Sequence, residues 1–337
     1  MKILVFGAGV VGTAYAWQLS LAGHDAALLV RPGRKQELER QGIAISCFDM
    51  RKIPWKHLTT TYHPHVVEDF SPADGYGLIL VCVRSTQLQE ALPHLAAKAG
   101  EATILFVQNN WSGRAEIEQY LAPARYLLGF PSVGGGRDAQ SIQCALGASM
   151  RLGEPDGRLT ARLRTIAAVM RQDGIKPRLT RRIIPWLWAH YAGVAAVGAG
   201  LCQAGSLPAL ASSAPILKDT LLAGREALAV CRARGIQLWR VPDEALPFLL
   251  PAWLFVPFMR RFLHTEVARL GLEGHADGYA DDEVRAMYEN VLNEGESLGV
   301  KMPHLRGFQQ YIEHVVPIVN AGRRGAVSAG ENVVTPR

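Results

Sequence analysis

Residues 3–6 form a short apolar run that passes straight into Gly7-Ala8-Gly9-Val10-Val11-Gly12, and residues 13–21 follow with helical composition. Gly23 ends that segment, His24-Asp25 turns the chain, and residues 26–30 form a second apolar run. Few folds accommodate this order. A continuous apolar run suits a strand buried on both faces of a parallel sheet, and two parallel neighbours need a crossover helix between them. The pattern predicts a βαβ unit of about thirty residues with GxGxxG at its first turn. Gly7 permits the tight turn, Gly9 lets the backbone approach a pyrophosphate, and Gly12 allows close packing of helix on strand. The six residues Gly7, Ala8, Gly9, Val10, Val11 and Gly12 are the candidate cradle, with the anion at the positive helix N-terminus.

The residue that ends the second strand selects the cofactor. An acid there would bind an adenosine ribose and favour NAD. This chain instead has Arg31, followed by Pro32-Gly33-Arg34-Lys35. Cations so close together, with no acid to repel the ligand, suit a ribose phosphate, so Arg31 and Arg34 are assigned to NADPH. Further apolar runs at 78–83 and 103–107 read as strands ending in Arg84-Ser85-Thr86-Gln87 and Gln108-Asn109-Asn110. Ligands of open parallel sheets bind at the carboxyl ends of strands, which makes Arg84, Gln87 and Asn109 candidates for the nicotinamide half.

Composition narrows the field. The 337 residues predict two domains or one large one. Hydrophobic residues at 49% and charged residues at 20% exclude bulk disorder. The net charge of +6 is modest and scattered, which suits an anionic small molecule and gives no case for nucleic acid. Five dispersed cysteines without a CxxC pair suit a reduced, cytoplasmic protein. No targeting segment is expected at the N-terminus. The most apolar later stretch, 246–258, holds Pro247, Pro251 and Pro257 and is shorter than the roughly 20 residues of a spanning helix, so no membrane partner is expected. His63 and His65 flank Pro64 without further ligands at metal spacing, so they read as solvated and no metal is assigned. The aromatic stretch 253–259 shows no polar face and is assigned to core or dimer-interface packing, with an apolar substrate pocket as a third role.

On GAGVVG at 7–12 with Arg31 after it, VCVRSTQ at 81–87, FVQNN at 106–110, the Trp-rich segment 186–200 and GVKMP at 299–303, the chain resembles the ketopantoate reductase (2-dehydropantoate 2-reductase) family. The resemblance implies an α/β fold: an N-terminal Rossmann-like doubly wound parallel sheet, followed by an all-α C-terminal domain. It implies NADPH-dependent reduction of a small-molecule 2-oxo acid, with substrate in the cleft between. The expected boundaries are 1–180 for the NADP-binding domain, 181–321 for a helical substrate and dimerisation domain, and 322–337 for a loose tail. A homodimer is the expected assembly.

Departures from the family pattern are as informative as the matches. The usual lysine at the end of the third strand is Arg84, and QNG becomes Gln108-Asn109-Asn110, which keeps the asparagine. The family lysine that acts as general acid falls on His190 if the chains are matched on Trp188, or on Trp188 if they are matched on Trp186. The first is preferred, because an imidazolium can give up a proton at neutral pH. Two family asparagines on the same helix become Val194 and Gly198, read as an apolar, open surface. Counting back from the GVKMP glycine puts the family glutamate on Glu283, with Glu266 as a rival on local wording and a plain helix N-terminus as the bland alternative. The family serine falls on Gly271, with His275 nearby as a second polar candidate. His190, Glu283 and Asn109 are thus the candidate catalytic residues. A bulkier or less polar 2-oxo acid, ketone or imine fits better than ketopantoate. A silent NADP-binding sensor or scaffold, and an opine-type reductive condensation, stand as alternatives.

Overall fold

A computed structural model describes residues 1–137, 141–172, 175–270 and 281–313. The strands are β1 Lys2–Phe6, β2 Asp25–Leu29, β3 Ile43–Asp49, β4 Lys56–Tyr62, β5 His65–Val67, β6 Leu78–Val81, β7 Thr103–Phe106, β8 Tyr126–Phe130, β9 Val133–Arg137, β10 Ser141–Leu146, β11 Arg151–Gly153 and β12 Arg178–Leu179. Helices α1 Val10–Leu21, α2 Lys35–Gln41, α3 Leu88–Lys98 and α4 Ala161–Gln172 are interspersed among them. From residue 183 the described chain is helical: α5 Ile183–Ala204, α6 Leu207–Ser212, α7 Ala214–Ala233, α8 Pro242–Leu249, α9 Ala252–Leu263, α10 Glu266–Ala268, α11 Asp281–Ser297, α12 Pro303–Gly307 and α13 Gln309–Glu313.

The main sheet has eight strands in the order β12-β11-β8-β7-β6-β1-β2-β5. It is parallel from β8 through β5, and β11 runs antiparallel to β8. Successive strand residues point to opposite faces, and both faces are covered. Leu4, Ile79, Val81, Ile104 and Phe106 meet α3 and the helical region, whereas Ile3, Val5, Leu78, Leu80 and Leu105 meet α1 and α4. That double burial is why these strands read as uninterrupted apolar runs. The chain order places β1 between β2 and β6, so the strand ends of β1, β6 and β7 open at the switch point where such sheets bind ligands.

A second sheet, β4-β3-β10-β9, was not expected from the sequence. Its buried side, with Ile45, Cys47, Ile142 and Cys144, completes the core on the α1 face. The main sheet ends in the two-residue strand β12. From Pro303 the described residues form two short helices through Glu313, and the tail, Gly271 and His275 lie outside the described residues. His65 belongs to β5 rather than to a loop, though it and His63 are both exposed.

The aromatic stretch splits by face. On α9, Phe255, Met259 and Leu263 are buried, but Trp253 is 76% exposed and Phe258 51%. Core packing therefore accounts for only half of it. Among the described residues no single helix is long and apolar enough to cross a membrane; α8 and α9 pass such a test only as a pair bent by 118°.

Candidate active site

The first turn of the sheet is built around two constraints. Gly7 has φ +115°, a conformation that side chains disfavour. A Cβ on Gly12 would lie 1.8 Å from the Gly7 carbonyl oxygen, so only glycine lets α1 pack this close. Gly9 is different: a Cβ there would meet nothing within 4 Å. The protein itself does not demand that glycine, and the space in front of it is what a pyrophosphate would fill. Gly9 is also the N-cap of α1, whose first turn has no capping side chain and no acid, so its amides face outward uncompensated. Arg137 of β9 reaches across to this turn and donates from Nη1 to the Ala8 carbonyl at 2.5 Å. No sequence signal marks Arg137, because it comes from the unexpected second sheet.

Beyond β2, Arg31 is exposed and, among the described residues, without a charged partner. Arg34 pairs with Glu37 at 3.1 Å and Lys35 with Glu39 at 3.8 Å. An acid does stand at this loop, contrary to the sequence reading. Glu68, just after β5, accepts the backbone N–H groups of Gly33 at 2.8 Å and Lys35 at 3.0 Å. It was invisible because β5 is brought beside β2 by pairing, not by sequence proximity.

At the end of β6, the Arg84 N–H donates to Gln87 Oε1 at 3.3 Å, so the Gln87 carboxamide serves the turn that follows the strand. Asn109, past the end of β7, donates from Nδ2 to Glu283 Oε1 at 3.3 Å, and Ser85 Oγ donates to the same oxygen at 3.4 Å. Two adjacent strand ends thus meet one carboxylate from the first turn of α11, and the structure brings Asn109 and Glu283 together across 174 positions. Among the described residues, Asn109 Oδ1 and both amide atoms of Gln108 are buried without a hydrogen-bond partner, an arrangement that leaves polar capacity at this strand end for a ligand. Asn110 is occupied otherwise, bonding the N–H and carbonyl of Gly113 to shape the loop. Ser85 was not among the sequence candidates. The rival Glu266 pairs with Arg269 beneath the Thr265 cap of α10 and does not meet Asn109.

His190 stands elsewhere on the site wall. Its Nδ1 lies 2.9 Å from Glu244 Oε2 of α8; its ring stacks on Trp186 with centroids 5.1 Å apart and lies tilted against Phe130, at the end of β8, at 4.1 Å. Neither Asn109 nor Glu283 bonds to it. In the middle of α5, His190, Val194, Val197 and Leu201 are partly exposed while the residues between them are buried. Their spacing of four, three and four residues is one helical stripe. That stripe is apolar apart from His190. Trp188 lies on another face, against Gly113 and under the Arg234 guanidinium, 3.3 Å from the ring centroid. Gly198 is not open as the sequence suggested. It is buried, and a Cβ there would lie 2.8 Å from Val284 Cγ1. Tyr191, one residue on from His190, stacks on Trp111 and accepts from Asn290 Nδ2 at 2.8 Å. Burial pushes its phenol up to about 12, so it stays neutral.

These parts define a class: a Rossmann-like dinucleotide fold followed by a helical region that supplies one wall of the site at the strand ends. Residues 3–157, a little under half of the chain, match the family described as ketopantoate reductase PanE/ApbA. Among curated proteins it is similar to the 2-dehydropantoate 2-reductase of Aquifex aeolicus (strain VF5), 27% identical over 56% of this chain and 58% of that one. A second such enzyme, from Halobacterium salinarum, is 24% identical over 53% of this chain and 58% of its own. The chain thus spans little more than half the length of these relatives. Among solved structures, the 2-dehydropantoate 2-reductase of Geobacter metallireducens GS-15 superposes with a TM-score of 0.71 at 19% identity, covering 94% of this chain and 100% of the other. A D-mandelate dehydrogenase, solved with NADH and anilino(oxo)acetate, gives 0.69 at 15% identity over 93% and 97%. At such identities the structural likeness speaks for the fold.

Proposed function

We propose that this chain is an NADPH-dependent reductase of a 2-oxo acid or related ketone, with His190 as the group that protonates the substrate oxygen. One observation carries the reading. Glu283 of the helical region meets Asn109 and Ser85 at two neighbouring strand ends, beside the switch point of the sheet. When bound, the dinucleotide supplies the hydride. Gly7, Ala8, Gly9, Val10, Val11 and Gly12 would hold its pyrophosphate, Arg31 its ribose phosphate, and Arg84 and Asn109 its nicotinamide side. The open space before Gly9 and the unpaired Asn109 Oδ1 fit that group. Arg34 is the weaker phosphate ligand, since Glu37 already engages it. Glu283 would accept a hydroxyl or amide of the substrate, and the α5 stripe would take an apolar substituent. The D-mandelate dehydrogenase of the same fold was solved with anilino(oxo)acetate, an oxo acid carrying an aromatic group, which supports that choice.

We place the enzyme in the cytoplasm, in keeping with its free cysteines, and as a homodimer through the exposed α8–α9 face. The test of function is the loss of reduced-nicotinamide absorbance with NADPH, and separately NADH, against aliphatic and aromatic 2-oxo acids including ketopantoate. The expected result is turnover that prefers NADPH and an apolar substrate and falls about 10²–10⁴-fold in His190→Ala. Tight NADPH binding without turnover of any oxo acid would favour a silent NADP-binding protein, and turnover only with an added amine a reductive condensation.

A further inference from the structure

We propose that Glu244 is the positioning residue for His190: it holds Nδ1–H so that Nε2 carries the proton delivered to the substrate oxygen. The delivery step rests on the reductase reading above; the pairing rests on geometry. The two side chains come from α5 and α8, 54 positions apart, meet at 2.9 Å, and remain 21% and 22% exposed. The imidazole also packs in a triangle of rings, parallel to Trp186 within 10° and tilted by 56° against Phe130, which itself lies 5.3 Å from Trp186. With Nδ1 engaged and one face stacked on Trp186, the Nε2 edge has no partner among the described residues, and it belongs to a residue on the partly exposed stripe of α5.

The surrounding charges leave this task to Glu244. Asp243, its neighbour on α8, accepts Trp186 Nε1–H at 3.1 Å and pairs with Arg151 of β11. Arg151 in turn lies over the Trp186 ring at 4.6 Å and feels the charges of Glu244 and of Arg178 of β12, while its carboxylate contact is to Asp243. Glu283 on α11 is taken by Asn109 and Ser85. Asp243 therefore fixes the ring on which His190 stacks, and Glu244 fixes His190 itself. A carboxylate on Nδ1 sets the tautomer and orientation of an imidazole and interacts favourably with the imidazolium. Once the carbonyl carbon has accepted hydride, the oxygen takes the Nε2 proton. The dinucleotide is then oxidised, the substrate is an alcohol, and the imidazole is neutral with its Nδ1–H still on Glu244 until water returns a proton to Nε2.

The pairing is read first without turnover, from ¹⁵N spectra of histidine-labelled protein, with the His190 signals assigned by their loss in His190→Ala. In wild type the neutral ring should be the Nδ1–H form. In Glu244→Leu that preference should vanish. An unchanged tautomer would overturn the pairing. Kinetically, Glu244→Gln should lower kcat about 10–100-fold with KM and NADPH affinity held within about twofold, and Glu244→Asp should recover part of the loss. The double variant with His190→Ala should be no slower than His190→Ala alone, because the two residues act as one unit. Additive losses, or a Glu244→Gln enzyme with wild-type kcat, would overturn the positioning role. An enzyme that turns over equally well without His190 would instead remove the reductase reading of that residue, while the spectra still decide the pairing.

Discussion

Gly9 and Gly12 stand three residues apart in one motif, yet the structure assigns them different duties. Gly12→Ala pushes a methyl group into the Gly7 carbonyl, so the turn must move. Calorimetry should show a loss of about 1–3 kcal/mol, together with weakened NADPH binding. Gly9→Ala meets nothing and leaves φ at an ordinary −76°. Its stability should stay within about 0.5 kcal/mol of wild type, and only NADPH affinity should fall. Equal stability losses in the two variants would refute this division. Arg31 and Arg34 are likewise not equivalent. Arg31→Ala should raise the NADPH dissociation constant about 10–100-fold and leave NADH nearly unaffected, since it removes charge-assisted bonds to a phosphate that NADH lacks. Arg34→Ala, deleting a cation already shared with Glu37, should change it by about threefold or less. Titrations with both dinucleotides read these outcomes directly.

At the scale of elements, α5 is the proposed determinant of what the site admits. Its open stripe presents Val194 where the family pattern has an asparagine, and this position is accessible, whereas Gly198 is closed by Val284 of α11. Val194→Asn should therefore shift the ratio of kcat/KM between hydroxylated and aromatic 2-oxo acids about tenfold toward the hydroxylated one. Gly198→Asn should instead destabilise the protein by displacing α11. A Val194→Asn enzyme with unchanged preference would remove α5 from the specificity argument. Much of this was legible in the sequence, because its signals are local: the βαβ order, the polar residues that end apolar runs, and the helical second half. Glu283 was reachable by spacing. Ser85, Glu68, Arg137 and Glu244 were not, since each acts through a partner distant in sequence or from another element. The second sheet was hidden for a related reason. β4 is mostly polar, β9 is glycine-rich, and β3 finds its parallel partner β10 only after four intervening strands of the main sheet have been laid down. A single pass along the chain registers no pairing of that range.

On the whole molecule, the most conspicuous surface is the outer side of α8 and α9. Leu246, Leu249, Trp253, Leu254, Phe258 and Phe262 are between 39% and 76% exposed there. Together they present on the order of 500 Å² of apolar side chain. That lies at the upper end of the largest patch a monomer usually shows, about 300–600 Å². It would form the apolar centre of a standard interface, which needs about 800 Å² from each partner once a polar rim is added. A second copy of this chain is the occupant we predict. An isologous dimer pairs one patch with its own copy, which an apolar face can do, and Arg240, Arg260 and Arg261 lie nearby, where a charged rim would stand. Wild-type protein should then elute and scatter light at twice the 36.8 kDa chain mass at micromolar concentration. Trp253→Glu with Phe258→Glu should yield a folded monomer, because neither side chain supports the core. A wild-type monomer at that concentration would refute the dimer, and its binding to vesicles of anionic lipid would reassign the face to a membrane surface. The cofactor turn and the His190–Glu244 pair both lie off this face, so the monomeric variant should keep NADPH affinity within about twofold of wild type, whereas a loss of affinity would mean that the dimer shapes the site.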